Sequence, residues 1–169
     1  LVTHVVRRHM PRAGEIIGRV GTVADGAPRE ADRPLRIVHA DGRVYLNETR
    51  RRFDAAVMDA FASRSVPAHL VTRETFERLR SIVDGPVYVN LIDGPDGPLA
   101  RGVHAILTGL YPHVMAVQSP VSDRGQANIV LAASRPPPAP LEALPNGFRP
   151  VQITPARAFT DDRGWVGHR

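Results

Sequence analysis

The sequence contains no cysteine and no lysine, its aromatic content is only 5%, and it has no long hydrophobic run. Without cysteine there is no disulfide framework, no thiolate nucleophile and no zinc site of the cysteine type. No apolar run approaches the roughly 18 residues that a membrane span requires, so we expect no membrane partner. Residues 1–10 lack the basic-then-apolar order of a secretory signal. These absences predict a cytoplasmic protein.

The basic residues say little about a binding partner. All 22 are arginine, and with 17 acidic residues they give a net charge of +5. An arginine-only complement is more typical of a GC-rich coding bias than of a binding surface. The arginine triplet at residues 50–52 has no interleaved aromatic residues, which favours a solvated helix end. We therefore expect no nucleic-acid partner, and the seven histidines form no short paired motif that would predict a metal site.

The 169 residues are enough to bury a core, and 16 prolines with 14 glycines indicate short elements joined by loops. Hydrophobic periodicity predicts helices at residues 1–10, 44–51, 73–84 and 99–110, strands at 35–38, 53–59, 87–92, 114–118 and 128–133, and a loop at 11–34 with one extended piece at 15–23. This alternation predicts an α/β fold with a mainly parallel sheet. Residues 135–140 are proline-rich, so we expect residues 1–134 to form the domain and 135–169 a linker and tail.

Two aspartates stand where such a sheet places its ligands. Asp41 follows the strand predicted at 35–38, and Asp59 ends the apolar run at 53–59. Ligands of open α/β sheets bind outside the carboxyl ends of the strands. Desolvation there raises the pKa of a carboxyl group and makes it a usable base. The pattern equally allows each aspartate simply to cap the helix or turn that follows.

Three motifs follow one another along the chain. They are Ala-Asp-Gly-Arg at residues 40–43, Phe-Asp-Ala-Ala-Val-Met-Asp at 53–59, and Pro-Ala-His-Leu-Val-Thr-Arg-Glu-Thr-Phe at 67–76. In this order, they resemble the spermidine synthase family, the polyamine aminopropyltransferase branch of the S-adenosylmethionine-dependent methyltransferase fold. The resemblance covers about residues 35–134. It implies a Rossmann-like, methyltransferase-type sheet.

The resemblance also implies an activity and a set of site residues. The activity is transfer of an aminopropyl group from decarboxylated S-adenosylmethionine to a small-molecule amine, with no permanently bound cofactor. Asp59 matches the base that deprotonates the amine, and Asp41 with Gly42 matches the contact to the adenine. Substrate-loop positions fall on Ala60, His69 and Thr72. Members of the family often dimerise, so a homodimer is a partner that the resemblance allows.

Departures from the family pattern leave two alternatives open. Ala62 stands where the family has a second aspartate for the far amine of a diamine, which weakens recognition of a dication. The glycine-rich turn after the first strand and the acidic residue after the second have no counterpart, so we expect the sheet to be incomplete on its N-terminal side. The alternatives are a methyltransferase that uses S-adenosylmethionine itself and a truncated, non-catalytic member of the family.

Overall fold

A computed structural model describes residues 38–59, 67–138, 144 and 147–163. The chain divides into two compact units, Leu1–Ala40 and Asp41–Arg169, and the fold given below is that of the second unit. The helix predicted at residues 1–10, the loop after it and most of the strand predicted at 35–38 lie outside the described residues, as do Ala60 and Ala62.

Helices and strands alternate along the second unit, as the periodicity predicts. The helices are α1 (Gly42–Glu48), α2 (Arg73–Ile82) and α3 (Pro98–Leu110), and a 3-10 turn spans Ala68–Leu70. The strands are β1 (Ala56–Met58), β2 (Val87–Asp93), β3 (His113–Gln118), β4 (Ala127–Ser134) and β5 (Arg149–Pro150). The α/β class is confirmed, and β5 is an element that the sequence pattern did not predict. None of the described helices is long and apolar enough to cross a membrane.

The sheet has the strand order β1-β2-β4-β3-β5. Only β1 and β2 pair in parallel among the described strands, while β4 is antiparallel to both β2 and β3, and β5 is antiparallel to β3. The expectation of a mainly parallel sheet was therefore wrong for this part of the chain. Residues 119–126 are too short for the crossover of a dozen or more residues that a parallel neighbour needs. The chain turns back at once, and β4 inserts between two strands that run in the same direction.

The core lies between one face of the sheet and the helices. Val87, Val89 and Leu91 alternate along β2, and all three are fully buried. They join Phe76 of α2 and Val103 of α3, which are equally buried, in one apolar cluster. Alternate residues of a strand point to opposite faces, so the residues between the buried ones emerge on the other side. That side exposes apolar side chains of β1 and β2, namely Val57, Tyr88 and Ile92.

The loops at the carboxyl ends of β1 and β2 extend from this packed sheet. β1 and β2 run in register, with Met58 opposite Val89. Residues that follow β1 consequently lie beside the second half of β2. β4 ends at Ser134, and β5 pairs with β3 at the edge of the sheet, while the domain boundary after residue 134 stays a prediction.

Candidate functional site

Asp41 is the N-cap of α1. Its Oδ1 accepts hydrogen bonds from the backbone N–H groups of Arg43, at 2.9 Å, and Val44, at 3.1 Å. Its Oδ2 lies 3.3 Å from Nε2 of His69. The hydrogen bond from the Val44 amide is the main cause that holds the pKa of Asp41 below its ordinary value, and the Arg43 amide and His69 add to it. The carboxylate thus caps a helix with one oxygen and turns the other to His69.

Gly42 begins α1 next to the 3-10 turn. A Cβ at this position would lie 3.3 Å from Cδ2 of Leu70, which is tighter than ordinary van der Waals contact. The absence of a side chain therefore lets the first turn of α1 approach the turn that carries His69. Two predicted site residues, Asp41 and His69, come together through this packing although 28 positions separate them.

Thr72 occupies the N-cap position of α2, but its side chain does not cap the helix. The hydroxyl donates to Oδ1 of Asp161 at 2.7 Å and accepts from Nη1 of Arg43 at 3.2 Å. The residue is only 1% exposed. Its hydroxyl is therefore committed to a buried network with Thr75 and Arg43 rather than presented to solvent.

Asp59 follows β1 directly and is exposed. Its Oδ1 accepts a hydrogen bond of 3.0 Å from Nδ2 of Asn90, in the middle of β2. The parallel register of β1 and β2 places the two residues side by side. Asn90 was not predicted as a site residue, although a polar residue among the apolar positions of β2 is a recognisable signal.

Asp93, at the end of β2, is a second acidic residue at this edge of the sheet. Its Oδ1 accepts from the Gly94 amide at 2.8 Å and its Oδ2 from the Ala100 amide at 3.0 Å. A Cβ at Gly97 would lie 2.2 Å from the same carboxylate, so glycine is needed for the close approach. Asp93 therefore stabilises the loop that leads into α3 through hydrogen bonds to both of its carboxylate oxygens.

The predicted site residues fall into two groups. Asp41, His69 and Thr72 belong to one hydrogen-bonded cluster, connected through Arg43. Asp59 forms the other with Asn90, and among the described residues no hydrogen bond joins the two groups. Ala60 lies outside the described residues. Within the part of the chain that the structure describes, no three His, Asp or Glu side chains are arranged to hold a metal ion.

These features define an α/β protein whose candidate site lies in the loops that follow its parallel strands and begin its helices. No family model and no curated protein matches the chain. Solved structures do, and two of them are spermidine synthases. A probable spermidine synthase from Corynebacterium glutamicum is 25% identical with a TM-score of 0.53, over 59% of this chain and 37% of that chain.

A second match is spermidine synthase from Thermotoga maritima, with 15% identity and a TM-score of 0.56 over 79% of this chain and 42% of that chain. MNMC2 from Aquifex aeolicus matches at 20% identity with a TM-score of 0.48, over 78% of this chain and 38% of that one. The two spermidine synthase matches show that this chain has a spermidine synthase-like fold. The chain spans 37% and 42% of the length of the two spermidine synthases.

Proposed function

We propose that this chain carries the base and part of the nucleoside contact of an aminopropyltransferase site. The reaction moves an aminopropyl group from decarboxylated S-adenosylmethionine to an amine. The observation that carries the proposal is the position of Asp59, which is exposed after a parallel strand and held at one oxygen by the neutral amide of Asn90. The spermidine synthase-like fold supports the choice of reaction.

The chemistry needs one proton acceptor. An amine is protonated at neutral pH and becomes a nucleophile only when its proton leaves. In the proposed step the proton passes to Asp59, and the nitrogen forms a bond to the aminopropyl carbon beside the sulfonium. The carbon–sulfur bond breaks, and its electron pair stays on sulfur as neutral methylthioadenosine. General base catalysis of this kind typically contributes about 10²–10⁴-fold in rate.

The hydrogen bond from Asn90 orients the Asp59 carboxylate for this step. An amide donor fixes one carboxylate oxygen without adding charge, so the anion keeps its attraction for an ammonium ion. A cation in the place of Asn90 would compete with the substrate for the same carboxylate. The hydrogen bond occupies Oδ1 and directs the carboxylate, which leaves Oδ2 for the incoming amine.

For the nucleoside we propose Asp41 and Gly42, at the start of α1. The Asp41 carboxylate accepts hydrogen bonds from two backbone amides, which favour its ionised form and lower its pKa. An ionised carboxylate accepts a hydrogen bond from the exocyclic amino group of adenine. His69 and Thr72 then line or support the same side of the site, because the cluster around Arg43 connects them to Asp41.

The acceptor amine we propose is one that needs a single carboxylate at its reacting nitrogen. Ala62 provides no anion for a second ammonium group, so the sequence does not favour a short aliphatic diamine over a monoamine. This part of the proposal rests on residue identity alone, since Ala62 lies outside the described residues.

The test uses the full 169-residue chain. It is incubated with decarboxylated S-adenosylmethionine and a panel of mono- and diamines, and methylthioadenosine and the aminopropylated product are measured by mass spectrometry. We expect product with at least one amine, and its loss in Asp59→Asn. Asp84→Asn is the matched control, because Asp84 is an exposed aspartate that pairs with Arg52.

Two other outcomes would decide against the proposal. Methylated product from S-adenosylmethionine, without aminopropyl transfer, would identify a methyltransferase in which Asp59 orients the acceptor. No turnover together with no binding of methylthioadenosine in calorimetry would identify a non-catalytic module.

A further inference from the structure

A short segment near the C-terminus, residues 158–163, lies across the N-terminal end of α2, and we call it the C-terminal strap. The carbonyl oxygen of Phe159 accepts from the Arg73 amide at 2.9 Å. The Asp161 amide donates to Oε2 of Glu74 at 3.0 Å. The ring of Phe159 fills the space above Gly102 of α3, where an added Cβ would lie 2.1 Å from it. The strap is thus attached to both α2 and α3.

Arg43 connects the strap to the cluster that contains Asp41. Its Nη1 donates to the carbonyl of His69 at 3.3 Å, to the hydroxyl of Thr72 at 3.2 Å and to the hydroxyl of Thr75. Its Nη2 donates to Oδ2 of Asp161 at 2.8 Å. The Arg43 side chain is only 19% exposed, so its charge is largely removed from water.

Asp161 is the one acceptor of these four that carries a charge. A charge-assisted hydrogen bond is roughly twice as strong as a neutral one, and a guanidinium removed from water needs an anion. The other oxygen of Asp161 accepts from Thr72, so the carboxylate holds the arginine and the threonine together. Without the Asp161 carboxylate, hydration of the Arg43 guanidinium would be more favourable than its hydrogen bonds to three neutral acceptors.

The backbone of Arg43 contacts Asp41, the residue that we propose for nucleoside binding. Its N–H is one of the two that fix Oδ1 of Asp41. Its side chain also holds the His69 carbonyl, and the imidazole of the same histidine faces Oδ2 of Asp41. A shift of Arg43 therefore disturbs Asp41 from two directions.

We propose that Asp161 is a positioning residue for nucleoside binding and acts through Arg43 on Asp41. This inference rests on the proposed function, because it requires that Asp41 binds the nucleoside. Asp161 itself touches no part of the proposed substrate. Its role is to keep α1 and the turn that carries His69 in the binding geometry.

The test combines one readout that needs a ligand with one that does not. Calorimetry measures methylthioadenosine binding by the full chain and by Asp161→Asn. Hydrogen exchange measures protection of the Tyr45 and Thr49 amides, which donate to the carbonyl oxygens of Asp41 and Tyr45 in α1. We expect about tenfold weaker binding and faster exchange at both amides in Asp161→Asn. Asp161→Glu, which keeps the charge, should restore much of both.

Asp84→Asn is the matched control for this experiment. Asp84 also forms an ion pair with an arginine, Arg52, and its side chain is 53% exposed against 49% for Asp161. We expect this variant to leave binding and α1 exchange unchanged. Equal losses in Asp84→Asn and Asp161→Asn would overturn the proposal, since they would reflect a general loss of stability.

The two proposals fail in different ways. If the unaltered chain does not bind methylthioadenosine, the proposed function fails, while the exchange of α1 still shows whether Asp161 positions this helix. If the unaltered chain binds but Asp161→Asn binds equally well, the role of Asp161 is refuted and the proposed function stands.

Discussion

Asn90 lies on β2 and Asp59 directly follows β1, the parallel neighbour of β2, and the amide of Asn90 donates to the Asp59 carboxylate over 3.0 Å. This contact joins a residue that the motifs single out to one that they do not. It also explains how a carboxylate that is exposed to solvent keeps a defined direction. Substitutions of Asn90 test this pair.

Removal of the Asn90 amide should lower the rate of the proposed transfer. Asn90→Ala leaves Asp59 free to rotate, so we expect kcat to fall about tenfold with a small change in KM. Steady-state kinetics with the best amine measures both constants. Asn128→Ala is the matched control, because Asn128 is an exposed asparagine on β4. An equal loss of kcat in both variants would contradict a specific role for Asn90.

A second carboxylate in the place of Asn90 should change the pH dependence. In Asn90→Asp two carboxyl groups would lie about 3 Å apart, and like charges raise the pKa of the pair. The base acts only when it is deprotonated, so the acidic limb of the pH–rate profile should move to higher pH. The profile of kcat/KM for Asn90→Asp and for the unaltered chain measures this. An unmoved acidic limb would show that Asp59 is not the titrating base.

Asp41 should make the stability of the fold sensitive to acid. Its pKa in the folded chain is lower than the ordinary 3.8, mainly because the Val44 amide donates to the carboxylate. A lowered folded pKa gives a contribution that is complete above the ordinary value and is lost as the pH falls through the folded one. Asp41→Asn keeps a capping oxygen but does not titrate. We expect the melting temperature to fall less between about pH 6 and pH 3 in this variant than in the unaltered chain.

Truncation of the Phe76 side chain should strongly destabilise the fold. Its side chain is fully buried between α2 and the sheet, so Phe76→Ala should lower the free energy of unfolding by about 3–5 kcal/mol. Urea denaturation measures this change. Tyr88→Ala is the control, since Tyr88 is 40% exposed on the opposite face, and we expect it to cost at most about 1 kcal/mol. Equal costs would mean that the apolar core has been assigned to the wrong face.

Gly102 should govern the attachment of the C-terminal strap. An alanine there would place its Cβ 2.1 Å from the ring of Phe159, which must move away. We expect Gly102→Ala to speed tryptic cleavage at the exposed Arg157 and Arg163 while the rest of the unit resists. Gly109→Ala, on the same helix, is the control. Its Cβ would meet only the end of the Arg73 side chain, at 3.2 Å, so cleavage should be unchanged.

Local patterns determined the elements of this protein. The alternation of Val87, Val89 and Leu91 predicts β2, and the spacing of Phe76 and Leu79 predicts α2, because both periods are short and are read within one element. The position of Asp59 after an apolar run was visible in the same way. These features depend on neighbours in the chain, so the sequence alone was sufficient for them.

Tertiary structure decided the strand order and the partners of the site residues. The described part of the sheet is not mainly parallel, because the short connection after β3 turns β4 back between β2 and β3. A pattern within one segment does not show this pairing. Arg43 meets Asp161 across 118 positions, and Asn90 meets Asp59 across 31. Such pairs form only when separate elements pack. Periodicity within one segment carries no information about which other segment will pack beside it. That information comes only from the packed sheet and helices.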